Sequence, residues 1–306
     1  MSNLSEPQKF AKTVANIHIN HSKIQRIYDF LSSMRCLGTF NGRTGSQSNL
    51  FIIGESGAGK TMMMQKYAEM NKGYIKIEDE VEYDIKPVVY LEIPDPFTVL
   101  ELYQSIIKAL GAPQIMFRPS IGDAKRHAFT LLEKQQVEIL IFDEMDYIFD
   151  SRYVKIQEAM NAIKHIGNIA NVSLVCIGTP DADKLRTLNF QYFRRFPKIE
   201  LEIFSEMDDE FCMFLNSIEK QIGAVEYICL GDLDTQLPQI FYAMSKGIVS
   251  IVTKTIQEAY RLLGVFNEDF DDISKAKLTV DIIYVAYKNI VGDIDEEEFE
   301  KAIHPK

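Results

Sequence analysis

Eight consecutive residues, Gly54-Glu55-Ser56-Gly57-Ala58-Gly59-Lys60-Thr61, follow the pattern G-x-x-x-x-G-K-S/T and are suited to gripping a polyphosphate. The glycines let successive backbone N–H groups converge on phosphate oxygens, and a helix opening here adds the positive end of its dipole. Lys60 would reach the β- and γ-phosphates, the Thr61 hydroxyl would bind Mg²⁺, and Met62 belongs to the same stretch. Further on, an apolar strand, Ile139-Leu140-Ile141-Phe142, runs into Asp143 and Glu144. Carboxylates at a strand exit are ordinary by themselves. Downstream of a phosphate loop they take separate roles, Asp143 holding Mg²⁺ through its water shell and Glu144 polarising an attacking water as general base. The pair favours hydrolysis over storage of the nucleotide, so the implied cofactors are ATP and Mg²⁺.

Two further groups could complete such a site. The run Asn171-Val172-Ser173-Leu174-Val175-Cys176-Ile177-Gly178-Thr179 is a buried strand that delivers a polar Thr179 at its exit. A bland reading makes Thr179 the cap of the following turn. Arg194 and Arg195 stand together before Phe196. Paired arginines are usually a solvated face, but one presented to a neighbouring subunit's γ-phosphate supplies charge stabilisation worth roughly 10³–10⁵ in rate in P-loop enzymes.

The elements that must position these groups alternate. Apolar runs at 50–53, 88–93, 138–142 and 172–177 predict strands, and helical patterns fall near 22–36, 61–70, 97–110, 122–136 and 153–170. Such alternation implies an α/β fold, a parallel sheet flanked by helices. Beyond about 204 only helical periodicity remains, including a face of Phe211, Phe214, Leu215, Ile218 and Ile222 and a further helix over 279–291. The expected organisation is an N-terminal segment 1–21, a nucleotide-binding domain 22–204, a small helical lid domain 205–292 and an acidic tail 293–306.

Composition narrows the class. Hydrophobic residues make up 46% and charged residues 25%, ordinary for a globular protein. The start carries no apolar stretch of the secretory kind, and no run approaches the ~18 apolar residues of a membrane span. A cytoplasmic location without membrane contact is the expectation. Cys36, Cys176, Cys212 and Cys229 lie far apart, and Cys176 reads as a small buried hydrophobe. His18 and His21 read as surface residues. The net charge of −11 is unevenly spread, because residues 201–306 hold 9 basic and 21 acidic side chains. The near-neutral remainder leaves room for a basic face toward nucleic acid.

Phosphate loop, Asp-Glu strand, polar-tipped strand, Arg-Phe and a helical end together resemble the AAA+ ATPase superfamily over about 15–265. The resemblance implies that Thr179 is the sensor at the strand tip and Arg195 the finger acting in trans, with Arg194 less favoured. The segment Asn16-Ile17-His18-Ile19-Asn20-His21, the strand Pro87-Val88-Val89-Tyr90, the run Ile141-Phe142-Asp143-Glu144-Met145-Asp146 and Ile177-Gly178-Thr179 are similar to the TniB/TnsC transposition regulators, including those of CRISPR-associated transposons. One departure from the AAA+ pattern concerns the lid: Ser250 of Gly247-Ile248-Val249-Ser250 stands where a second sensor arginine often does, with Lys254 a substitute candidate.

That resemblance implies ATP-dependent rings or filaments on duplex DNA, with a transposase and target-selection proteins as partners. It points to Thr98 and Ser120 as DNA contacts, to which Arg118 and Lys125 are added on charge. Thr98 and Ser120 equally suit helix N-capping. The competing readings are a replication-initiator or helicase-loader ATPase and a small-molecule phosphotransferase. The acidic, arginine-poor helical end argues against the latter.

Overall fold

The computed structural model describes residues 4–40, 47–114, 119–224 and 226–292. Arg118 and the acidic tail 293–306 lie outside the described residues. Two helices come first, α1 (Glu6–Ala15) and α2 (Ser22–Phe40), then strand β1 (Leu50–Ile53) and helix α3 (Lys60–Met70). Strands β2 (Tyr74–Glu78) and β3 (Val81–Ile85) precede β4 (Val88–Glu92), α4 (Val99–Ala109) and α5 (Ile121–Lys134). Next are β5 (Ile139–Asp143), α6 (Tyr147–Asp150), α7 (Ile156–Ala170) and β6 (Ser173–Gly178). They are followed by α8 (Asp183–Thr187), α9 (Phe190–Arg195) and β7 (Lys198–Glu200). Helices α10 (Asp209–Ile222), α11 (Leu237–Ser245), α12 (Val249–Leu262) and α13 (Val280–Val291) complete the described residues.

The chain forms two compact units, Ser22–Glu202 and a second that groups Met1–His21 with the chain from Ile203 onward. In the first, five strands pair in the order β4-β5-β6-β1-β7, every pair parallel. Every residue of β1, β5 and β6 is buried, because helices cover both faces of the sheet. One core joins Phe51, Leu140, Phe142 and Cys176 of the strands to Ile106, Leu132 and Ile163 of α4, α5 and α7. Helices α2 and α3 bury Leu31, Met34, Met63 and Met64. Complete burial raises the Cys176 thiol far above its ordinary pKa, as befits a packing residue.

The hairpin β2–β3 was not among the expected elements. It is antiparallel, pairs with no strand of the main sheet, and turns at Asp79 and Glu80, both in the left-handed region.

In the second unit, Phe10 and Val14 of α1 share a core with Phe211, Leu215 and Ile218 of α10, Val252 and Ile256 of α12 and Ile283 of α13. Phe10 meets Tyr260 edge-on with ring centroids 5.5 Å apart. His21, expected at the surface, packs its ring against Phe204 and Phe214 at 5.4 and 6.0 Å. Among the described residues no helix is long and apolar enough to cross a membrane.

Candidate functional site

The phosphate loop leaves the carboxyl end of β1 under tight steric terms. A Cβ on Gly54 would lie 2.4 Å from the Leu201 carbonyl oxygen, so only glycine lets the chain pass. Gly57 and Gly59 have φ of 81° and 95°, where a side chain is strained. Helix α3 then begins at Lys60, so its N-terminal N–H groups face the concave side of the loop. The Lys60 ammonium donates to the Gly54 and Glu55 carbonyls at 2.6 and 2.9 Å. Burial holds its pKa below the ordinary lysine value, against the opposing pull of Asp143, Asp146, Glu144 and Glu55. Ser56 and Met62 are exposed on the rim, and Thr61 is half-buried.

Parallel register brings three strand ends together. Ile53 pairs with Gly178, and Phe142 with Cys176, so Gly54, Asp143 and Thr179 emerge side by side. Asp143 is only 1% exposed. Its Oδ2 accepts from the Tyr90 hydroxyl at 2.8 Å and its Oδ1 from the Glu144 N–H at 2.9 Å. Burial, and then the Asp143 charge, raise the Tyr90 pKa, so its proton stays on the phenol as a donor. Glu144 sits at φ 56°, in the left-handed region that strains a residue with a side chain, directly after the buried strand. Burial and the charges of Asp143 and Asp146 raise its pKa, while Lys60 opposes them.

Asp146 and Tyr90 carry roles that sequence reasoning had not assigned. Asp146 accepts from the Thr179 N–H at 2.8 Å and from its hydroxyl at 2.5 Å, fixing the strand tip. A Cβ on Gly178 would come within 2.8 Å of that carboxylate and 2.4 Å of Ala182, so the glycine permits the clasp. The sequence signals were present but mute: a third acid in the Asp-Glu run, and a hydroxyl within the otherwise apolar strand Val88-Val89-Tyr90-Leu91.

The arrangement fits a nucleoside triphosphate with a divalent cation. A glycine cradle that a Cβ would fill, a helix N-terminus, one lysine and a buried carboxylate with remaining lone pairs converge on one end of the sheet.

Arg195 is not brought to this cluster. It ends α9, and β7 pairs Lys198 with Phe51, beside the start of β1. The phosphate loop leaves the opposite end of that four-residue strand, about 13 Å away. Arg195 donates to Asn168 at 3.0 Å and, with exposed Arg194, lines a cavity of about 470 Å³ against Phe30, Met34 and Leu37 of α2.

Thr98 and Ser120 both cap helices, accepting from the N–H groups of Glu101 and Asp123 at 3.1 Å each. The ends of α4 and α5 meet where Leu110 O accepts from both Lys86 and Gln135, so the two helices run side by side and begin at the same end. Lys125, one turn into α5, lies 5.8 Å from the centroid of the Phe129 ring. In the helical unit Lys254 is exposed on α12.

Three comparisons with known proteins bear on this geometry. The profile of a family described as bacterial TniB protein matches residues 10–206. No curated protein matches the sequence. Among solved structures, the Aeropyrum pernix ORC1 protein in complex with DNA is similar with a TM-score of 0.58 at 15% identity, over 92% of this chain and 69% of that one. Pyrobaculum aerophilum Cdc6p gives 0.59 at 12% identity, over 89% and 68%. Drosophila ORC bound to DNA gives 0.54 at 15% identity, over 95% and 67%. At such identities the likeness is one of fold: an AAA+ α/β domain with a parallel sheet between helices, followed by helices.

Proposed function

The chain belongs to the TniB family of bacterial proteins, and on that premise we propose that it is an ATP-hydrolysing regulator of transposition. In this reading it assembles as rings or filaments on duplex DNA and there engages a transposase and target-selection proteins. The observation that carries it is the convergence of Lys60, Asp143, Glu144 and Thr179 at one end of the sheet, with Arg195 at the other.

Bound ATP with Mg²⁺ would supply the scissile phosphoanhydride and neutralise part of its charge. The chain's own groups do the rest. Backbone N–H groups of residues 55–61 and the Lys60 ammonium hold the phosphates, and Lys60 is available once it exchanges loop carbonyls for phosphate oxygens. Thr61 and Asp143 are the metal-side ligands, and Tyr90 orients Asp143. Glu144 accepts the proton of the attacking water, its raised pKa making it a stronger base than a solvated carboxylate. Thr179, clasped by Asp146, marks the γ-phosphate end. Arg195, distant from its own loop, would serve the loop of an adjacent copy, which ties assembly to ATP. The Aeropyrum pernix ORC1 and Drosophila ORC structures hold DNA, which supports a DNA-bound assembly here.

The test is negative-stain imaging together with turnover measurements, with ATP and duplex DNA. Wild type should form rings or filaments, and Lys60→Ala should bind no ATP and form none. Glu144→Gln should assemble, persist, and turn over at least ~10²-fold more slowly, the scale of a lost general base. A wild type that stays monomeric with ATP and DNA would overturn the reading.

A further inference from the structure

The hairpin β2–β3 leaves unburied what such elements normally bury. Tyr74, Ile75, Ile77, Val81 and Tyr83 are all exposed, Ile77 by 69%. Alternation places them on both faces, Tyr74 and Tyr83 on one and Ile75 and Ile77 on the other. A lone two-stranded sheet is marginal in water, and this one presents open strand edges as well. Its root is fixed: a Cβ on Gly73 would lie 1.9 Å from Ile85 O, Ile85 is buried, and Lys86 N–H donates to Gln135 O. The hairpin is therefore a held projection.

Its charge selects the partner. Residues 74–85 contain one lysine and five acids. Glu78 pairs with Lys76 and Asp84 with Lys86. Asp79, Glu80 and Glu82 pair with no base among the described residues. The complement stands elsewhere on the same unit. Over 184–198 there are five basic residues and no acid, and Leu188, Phe190 and Phe193 are exposed, Phe190 by 76%. Asp181 and Asp183 balance Lys184, Arg186 and Lys198, but among the described residues Arg194 and Arg195 pair with no carboxylate. Each surface is exposed within one chain, so neither covers the other there.

We infer that the hairpin is an assembly contact, receiving the basic, aromatic α8–α9 strip of a second copy of this chain. The contact rests on the proposed ATP-dependent assembly and extends it away from the nucleotide. The dimensions agree. Helix α3 has eleven residues and spans about 16 Å from the phosphate loop to the hairpin root. On the strip, Phe190 lies about 8 Å behind Arg195 along α9, and the arginine side chain adds several ångströms. One strip can thus place Arg195 at the loop and Phe190 at the hairpin of the same neighbour. Two different patches in contact make a head-to-tail interface, which propagates into a ring or a filament. Opposite charge at such a contact sets register and steers association.

Two measurements test this. Ile77→Cys and Phe190→Cys proteins, in a background with Cys36 and Cys229 replaced by serine, are mixed under mild oxidation with and without a non-hydrolysable ATP analogue. A disulfide-linked pair holding one chain of each kind, formed with the analogue, is expected. Separately, sedimentation with the analogue should show that Glu82→Arg raises the protein concentration needed for assembly at least tenfold. Adding Arg194→Glu in the same chain should restore it, and analogue binding by the monomer should stay unchanged throughout. If wild type assembles while no 77–190 link forms and Glu82→Arg assembles normally, the hairpin contact is wrong and the assembly reading stands. A link only between two Ile77→Cys chains would mean edge-to-edge pairing of hairpins and would also overturn it. A wild type that never assembles removes both.

Discussion

Asp143 is held from two sides, and the two holds differ in kind. The Glu144 N–H comes with the backbone, whereas the Tyr90 hydroxyl is contributed by the neighbouring strand and can be deleted without touching the cluster. Groups that orient a metal-side ligand commonly govern metal affinity by about 10-fold or more. Tyr90→Phe should therefore raise the Mg²⁺ concentration for half-maximal ATP hydrolysis about 10-fold. Nucleotide binding measured without Mg²⁺ should be unaffected. A magnesium titration with unchanged midpoint would leave Tyr90 as a packing residue. The grouping of Lys60, Asp143 and Glu144 was readable in the sequence because each belongs to a contiguous motif at a strand exit or helix start. Tyr90 and Asp146 were not, because their roles arise from pairing across 53 and 33 residues that only strand register specifies. Arg195 was readable as an arginine in a plausible place, but its distance from the loop follows from the pairing of Lys198 with Phe51.

Among the elements, the fully buried strands were legible as continuous apolar runs, and β1, β5 and β6 lie where those runs are. The hairpin was not, for two physical reasons. Its apolar residues fall on both faces rather than one, and its turn uses Asp79 and Glu80 at positive φ where Gly or Asn would have signalled it. The helix caps raise a separable question, since Thr98 caps α4 whether or not it also touches DNA. Aspartate caps as well as threonine but repels phosphate. Thr98→Asp should keep the melting temperature within about 1 °C, where loss of the cap would cost about 1 kcal/mol and, in a unit of this size, about 2–4 °C. If Thr98 contacts a DNA phosphate, duplex binding by the same variant should weaken; unchanged binding would leave it a cap alone. A pH effect belongs to α8. Burial opposes the charged form of Asp183, but the hydrogen bond and charge of Arg186 and the charge of Lys198 outweigh it and hold the pKa below the ordinary value. A depressed carboxylate contributes stability that is present above its unfolded pKa of about 3.9 and is lost as pH falls through the folded value. Asp183→Asn should thus lower the melting temperature at pH 7, and its difference from wild type should shrink toward pH 3. A constant difference across that range would dismiss the linkage.

At the scale of the whole molecule, the separation of Arg195 from its own phosphate loop decides what hydrolysis requires. If the finger acts in cis, each chain is a complete enzyme and mixing variants gives only the average of their rates. If it acts in trans, every active site is shared, and two inactive variants can rebuild one. On the proposed roles, Arg195→Ala keeps Lys60 and Glu144 but offers no finger, and Glu144→Gln keeps its finger but has no base. Each alone should hydrolyse ATP slowly. In an equal mixture that assembles at random, about a quarter of head-to-tail junctions pair an intact site with an intact finger, so activity should return toward about a quarter of the wild-type rate. Activity should also depend on protein concentration, because the junction forms only by association. Duplex DNA should raise it further by gathering copies on one lattice, and this stimulation should fade with salt as phosphate contacts are lost. The measurement is steady-state phosphate release from the two variants alone and mixed, at several protein and salt concentrations. Rates that stay the simple average of the two would place the arginine's partner within its own chain, or nowhere near a phosphate, and the link between ATP and assembly would have to be sought in other residues.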